Sequence, residues 1–162
     1  MENKNNFWNK IVSKLNERKL TIATMESCTG GGVANEITNI SGASSVLKES
    51  YVTYCNDAKI KHGVPEKVIE KYTVYSSETA TEMAKAIKKE TGCDIGVGVT
   101  GQLGRIDPNN PVDKLNCVWY AIIDRNNSIV IKEINVPDDE RKVQKEVVIS
   151  KIAKTLLEII CL

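Results

Sequence analysis

The sequence predicts an α/β fold: a mixed sheet of about five strands with helices on both faces. Three observations carry this. Apolar residues at helical spacing alternate along the chain with short β-forming runs. One early run leads through a glycine-rich turn straight into a helix start, TIATMESCTGGGVAN at 21–35. Near the end, NCVWYAIID and SIVIKEINV are joined by Arg125-Asn126-Asn127, a turn whose asparagines accept positive φ and so favour a hairpin.

The elements follow in order. Trp8, Ile11, Val12 and Leu15 share one face, which predicts an amphipathic helix over about 7–18. A strand is expected over 20–25, a helix over 29–39, and a loop at Ser41–Ser44. VLKESYVTY, 46–54, is rich in β-formers. Asn56 or Asp57 is expected to cap a short helical turn that ends at Gly63. Pro65 sits near the first turn of the next helix, VPEKVIEKY. The clearest helix is SETATEMAKAIKKETG, with Ser76 or Ser77 at its start, Gly92 at its end, and Ala80, Met83, Ala84 and Ile87 as its buried stripe. CDIGVGVTG reads as a buried strand whose glycines admit another backbone. RIDPNNPVDK reads as an exposed loop. The last helix, about 138–161, is expected to open at Asp138 and Asp139 and to bury Val143, Val147, Ile152, Leu156 and Ile159.

Length and charge narrow the function classes. The 162 residues fit a single domain, 1–162. A net charge of +1 and a lack of basic stripes with interleaved aromatics argue against nucleic acid as a partner. The N-terminal stretch has charges throughout and no apolar core, so it does not read as a signal peptide. No apolar run approaches the ~20 residues of a membrane span. The five cysteines, 28, 55, 93, 117 and 161, form no CxxC, and His62 is the sole histidine. A Cys/His metal site is therefore not expected, and reduced thiols in a cytoplasmic protein are.

Two strand ends carry polar, glycine-bearing turns: ESCTGGG after the first strand and VTGQLG after CDIGVGV. Carboxyl ends of strands are where open α/β sheets place their sites. Ser27, at a strand-to-helix turn, is either an N-cap or a nucleophile near free backbone N–H groups that can hold an oxyanion. A nucleophilic serine needs a base. His62 is the only candidate for a Ser-His-Asp triad, and it also fits a plain surface residue. Lys59, which follows the strand YVTYCNDAK, is the other candidate, because partial burial would lower its pKa.

These segments in this order, ESCTGG, SGASSVLKESYVTYCNDAK, VYSSETATEMAKAI, VGVTG and VWYAI, resemble the CinA C-terminal domain family over about residues 8–160. The resemblance implies a three-layer α/β/α sandwich. It also implies a nicotinamide-nucleotide amidase, which converts nicotinamide mononucleotide to nicotinic acid mononucleotide and ammonia by a Ser/Lys mechanism. By that likeness Ser27 is the nucleophile, Lys59 the general base and Tyr54 an aid in positioning the base. Backbone groups of Cys28, Thr29, Gly30 and Gly31 would hold the oxyanion, with Thr29 also capping the helix. Ser44, Ser45, Asn56, Thr100, Gly101, Arg105 and Arg141 would bind substrate, Arg141 at its phosphate. No cofactor and no metal is implied. The expected partners are a small nucleotide substrate and further copies of the chain, as a homodimer or larger.

The chain departs from the family pattern after VTG. The Ile-Ala-Gly-Pro-Gly-Gly segment is replaced, and Gln102, Leu103 and Arg105 stand where small residues and glycines are usual. Arg105 is expected either to reach a phosphate or to block the pocket. Cys55 replaces the family's serine. The alternative function is therefore a catalytically silent or substrate-shifted nucleotide-binding accessory protein.

Overall fold

A computed structural model describes residues 4–110 and 114–162; residues 111–113 of the expected exposed loop lie outside the described residues. The five strands are β1 (Ile22–Glu26), β2 (Leu47–Val52), β3 (Ile95–Gln102), β4 (Cys117–Ile123) and β5 (Ile129–Asn135). They form one sheet in the order β2-β1-β3-β4-β5. β2, β1 and β3 run parallel, and β4 and β5 are antiparallel to their neighbours. The β4–β5 hairpin turns through Asn127 at φ 63°. The mixed sheet is the one expected.

Helices cover both faces. On one side α1 (Lys4–Glu17), α2 (Gly32–Thr38) and α6 (Arg141–Cys161) pack together. Trp8, Ile11, Leu15, Val97, Val118, Ile122, Val148, Ile152 and Leu156 fill the space between them and the sheet. On the other side α5 (Ser77–Thr91) lies across β1, β3 and β4, with α4 (Glu66–Tyr72) beside it. Met25, Met83 and Ile87 fill that layer. α3 (Asn56–Lys61) follows β2. Gly96 and Gly98 let α5 sit almost on the sheet. A Cβ on Gly98 would run into the Ala80 carbonyl and Met83, and one on Gly96 into the Ala84 carbonyl. Among the described residues, no helix is long and apolar enough to cross a membrane.

Several element ends differ from expectation. α2 starts at Gly32, not near 29, because Gly30 and Gly31 take φ of 59° and 88° and delay the helix. Ser41–Ser44 is not all loop, since Ala43–Ser45 forms a 3₁₀ turn. Cys55, not Asn56 or Asp57, precedes α3, with no side-chain cap. In α5 the cap is Ser76, whose Oγ accepts from Thr79 N–H at 3.1 Å. α6 opens at Arg141 behind Glu140, not at Asp138 or Asp139. Its buried ladder is Gln144, Val148, Ile152, Leu156 and Ile160, at spacing four. Val143 faces solvent, while Val147 and Ile159 only flank the core.

Candidate active site

Because β1, β2 and β3 are parallel, their carboxyl ends meet along one edge of the sheet. The residues just beyond them, Ser27, Tyr54 and Leu103, line a cleft of about 570 Å³. The antiparallel turn into β4 and the start of α6 lie at the same edge, which adds the 103–110 segment and Arg141 to the wall.

At the base of the cleft, Lys59 Nζ lies 3.1 Å from Ser27 Oγ and 2.7 Å from the Thr53 carbonyl oxygen, donating to both. Lys59 is 1% exposed. Among the described residues no carboxylate lies in ion-pair reach of it. Burial penalises the ammonium, and it lowers the Lys59 pKa from 10.5 to about 8. A lysine in this state is a neutral amine in a useful fraction near neutrality. Ser27 is itself held by its N–H, which donates to the Val99 carbonyl at 3.0 Å.

Beneath Ser27 the turn is anchored by Glu26, which is fully buried. Its carboxylate accepts from Thr29 Oγ1 at 2.6 Å, Val33 N–H at 2.9 Å, Ala34 N–H at 3.0 Å and Thr24 Oγ1 at 3.1 Å. A carboxylate from the preceding strand therefore satisfies the first free N–H groups of α2. Thr29 does not cap the helix as expected; its hydroxyl is spent on Glu26. The oxyanion set narrows likewise. Gly30 N–H donates to the Ser27 carbonyl at 2.9 Å. Of Cys28, Thr29, Gly30 and Gly31, only Cys28 borders the cleft. Burial, with the Glu26 charge behind it, pushes the Cys28 thiol up to about 12, so it stays protonated.

Other expected site residues divide. Asn56, Gly101, Arg105 and Arg141 line the cleft. Gly101, however, is glycine because β4 presses on it: a Cβ there would meet Val118 and the Cys117 carbonyl. Arg141 Nη2 donates to Tyr54 Oη at 3.1 Å, and Nη1 donates to the Leu103 carbonyl. Tyr54 is 62% exposed and touches Arg141 rather than the lysine; the Thr53 carbonyl positions Lys59 in its place. Thr100 is not in the cleft. It is buried, with Oγ1 donating to the Val74 carbonyl at 2.6 Å. Ser44 and Ser45 precede β2, so the parallel strand carries them to the opposite edge of the sheet, where they are exposed. His62 stacks on Tyr51 with ring centroids 4.4 Å apart and lies 3.6 Å from Glu90, outside the cleft, so no triad forms through it.

The remodelled wall supplies residues that the sequence reading passed over. Asp107 lines the cleft, accepting from Asn109 N–H at 2.9 Å, Asn110 Nδ2 at 2.8 Å and Tyr75 Oη at 3.5 Å. Donation from Asn110 and Asn109 holds its carboxyl below the ordinary aspartate value. Burial, then the Asp107 charge, pushes the Tyr75 phenol up to about 12, so it remains a donor. The density of Asp, Asn and Pro in this stretch signalled turns; nothing local signalled which side chain would face the nucleophile.

A family model described as the CinA C-terminal domain matches residues 4–159. A putative competence-damage inducible protein of Clostridium acetobutylicum is 41% identical over 139 residues, 85% of this chain and 33% of that protein. A CinA-like protein of Kosmotoga olearia is 38% identical over 137 residues, 83% of this chain and 32% of its own length. The chain thus spans about a third of the length of these curated relatives. Among solved structures, a competence/damage inducible protein from Agrobacterium tumefaciens superposes with TM-score 0.87 at 25% identity, covering 96% of this chain and 94% of that one. A CinA superfamily protein from Klebsiella pneumoniae shares the fold at TM-score 0.90 and 20% identity, with 99% of both chains covered.

Proposed function

The chain belongs to the CinA C-terminal domain family, and from that premise we propose that it is a Ser/Lys amidohydrolase of the nicotinamide-nucleotide amidase type. The proposed reaction converts nicotinamide mononucleotide and water to nicotinic acid mononucleotide and ammonia. The observation that carries the reading is the 3.1 Å contact between Ser27 Oγ and a buried Lys59 Nζ in a cleft. A serine hydroxyl needs a neutral base at this distance, and desolvation supplies one.

In this reading neutral Lys59 takes the Ser27 proton as Oγ attacks the amide carbon. The Thr53 carbonyl steadies the ammonium that results. Cys28, which borders the cleft, offers its backbone N–H to the oxyanion. Lys59 returns the proton to the leaving nitrogen and ammonia departs; water, deprotonated by Lys59, then attacks the acyl carbon, and Ser27 Oγ leaves and takes that proton back. Arg141 and Arg105 are the cations available to the substrate phosphate.

The test is ammonia release from nicotinamide mononucleotide. Wild type should turn over. Ser27→Ala and Lys59→Ala should each lose about 10³-fold or more in kcat. A second reading, a nucleotide-binding relative without this turnover, rests on the side chains that fill the 102–110 wall. Tight nucleotide binding by calorimetry without ammonia release would favour it. Neither turnover nor binding would remove both.

A further inference from the structure

The 103–110 wall is tied down at both ends. At one end Gln102 Nε2 donates to the Arg105 carbonyl and Gln102 Oε1 accepts from Asn116 N–H at 3.1 Å. Asn116 Oδ1 accepts from Gly104 N–H and from the buried Gln144 of α6, both at 3.0 Å. At the other end Asn56 Nδ2, on α3, donates to Asn110 Oδ1 at 3.1 Å. Asn110 in turn donates to Asp107. The segment is therefore a fixed part of the cleft, and Asp107 is held on its inner side.

All three donors to Asp107 are neutral: a backbone N–H, an amide and a phenol. Among the described residues no Lys or Arg lies in ion-pair reach of its carboxylate. The anion is therefore oriented but not neutralised, in a half-buried position where a charge is screened less than in open water. Tyr75 stands beside it and offers an aromatic surface. A carboxylate next to an aromatic ring is the arrangement that favours a flat, positively charged heterocycle. The same cleft carries the guanidinium groups of Arg105 and Arg141. An anionic ligand alone would meet Asp107 unfavourably. A ligand with a cationic ring and a separate anionic group satisfies both walls.

We propose that Asp107, with Tyr75, is a specificity determinant that selects substrates with a positively charged aromatic ring; the proposal rests on the amidase reading for the identity of the ring, a pyridinium. Asp107 acts as the counter-ion of the ring while its carboxamide is presented to Ser27. Within the turn Oδ1 accepts from Asn109 N–H and Oδ2 from Asn110 Nδ2. Asp107→Asn keeps one of these acceptors and loses the other, a change felt alike by charged and uncharged ligands, so the charge is read from the difference between the two.

The experiment is calorimetry on Ser27→Ala protein, which cannot turn the ligand over. The two ligands are nicotinamide mononucleotide and its reduced form, whose ring is uncharged. The oxidised form should bind about tenfold tighter, given a partly screened charge at contact distance. Adding Asp107→Asn should weaken the oxidised form about tenfold and leave the reduced form within about twofold. Asp107→Glu should keep the preference. As a check that needs no variant, wild type should bind 1-methylnicotinamide more tightly than nicotinamide.

Equal weakening of both nucleotide forms by Asp107→Asn, or of neither, overturns the inference. If Asp107→Asn does not fold, equal binding of 1-methylnicotinamide and nicotinamide by wild type overturns it instead. Ammonia release without an Asp107-dependent preference keeps the amidase and removes the inference. A preference without ammonia release keeps the inference and removes the amidase. Binding of neither nucleotide, with no ammonia release by wild type, removes both.

Discussion

Lys59 is where burial and chemistry oppose each other. Its ammonium loses hydration on folding and gains only a carbonyl and a hydroxyl in exchange. A base with a pKa of about 8 must be neutral to act, so kcat/KM should rise with pH and level off above that value. The expected gain is about tenfold between about pH 7 and pH 9, read from a pH–rate profile on nicotinamide mononucleotide. The same shift acts on stability with a definite sign. The folded pKa is lowered, so between about 8 and 10.5 the unfolded chain holds the proton and the folded one does not. Stability from this group therefore rises with pH across that window and is at its lowest below it. Replacing the lysine by a neutral side chain of similar length removes the penalty. Lys59→Met should stabilise the protein by about 1–3 kcal/mol near pH 7, after allowance for two lost hydrogen bonds, and by little above about pH 10.5. Urea denaturation at the two pH values measures it. At this scale the sequence was half legible. A lysine after a β-rich run could be singled out, but its main partner is the Thr53 carbonyl, and a backbone atom leaves no trace in residue identity.

At the scale of elements, α2 is organised by a residue outside it. Seven residues are too few to hold a helix by propensity, so its start depends on the Glu26 carboxylate. Glu26→Gln keeps the shape but turns one acceptor oxygen into an NH₂ that faces donors. We expect a loss of about 2–4 kcal/mol by urea denaturation. The sequence suggested Thr29 for this work. The true cap lies at the end of the strand and reaches forward by seven and eight residues, beyond local pattern. α5 was legible because its signals are local: a serine start, a glycine end and a stripe at helical spacing. α6 was legible as a helix but not in its facing. The buried ladder begins with Gln144, a polar residue whose Nε2 donates to Asn116 Oδ1 and the Pro137 carbonyl, and a search for apolar positions slides to Val143 beside it.

At the scale of the molecule, the direction of the strands decides what can be near what. Parallel alignment of β1, β2 and β3 brings the segments after them to one edge, which is why Ser27 and Lys59 meet across 32 positions of sequence. The same alignment sends Ser44 and Ser45 to the other edge. Alternating elements and the hairpin made the mixed sheet readable. The cleft wall was not readable, because its shape comes from Gln102, Asn116 and Gln144, three positions brought together only by the finished fold.

The parallel pairing of β1 with β2 has a kinetic side. A tight turn cannot join parallel neighbours, so β2 reaches β1 only after the chain has looped through α2 and the 3₁₀ turn. Contacts of that span form slowly, because chain entropy is lost before they reward it. The helices and the β4–β5 hairpin can gather from neighbouring residues, whereas the serine and its lysine have no shared geometry until this docking is done. On refolding, helical signal should therefore return before the pair does, and a partly folded chain would be compact yet without its reactive centre.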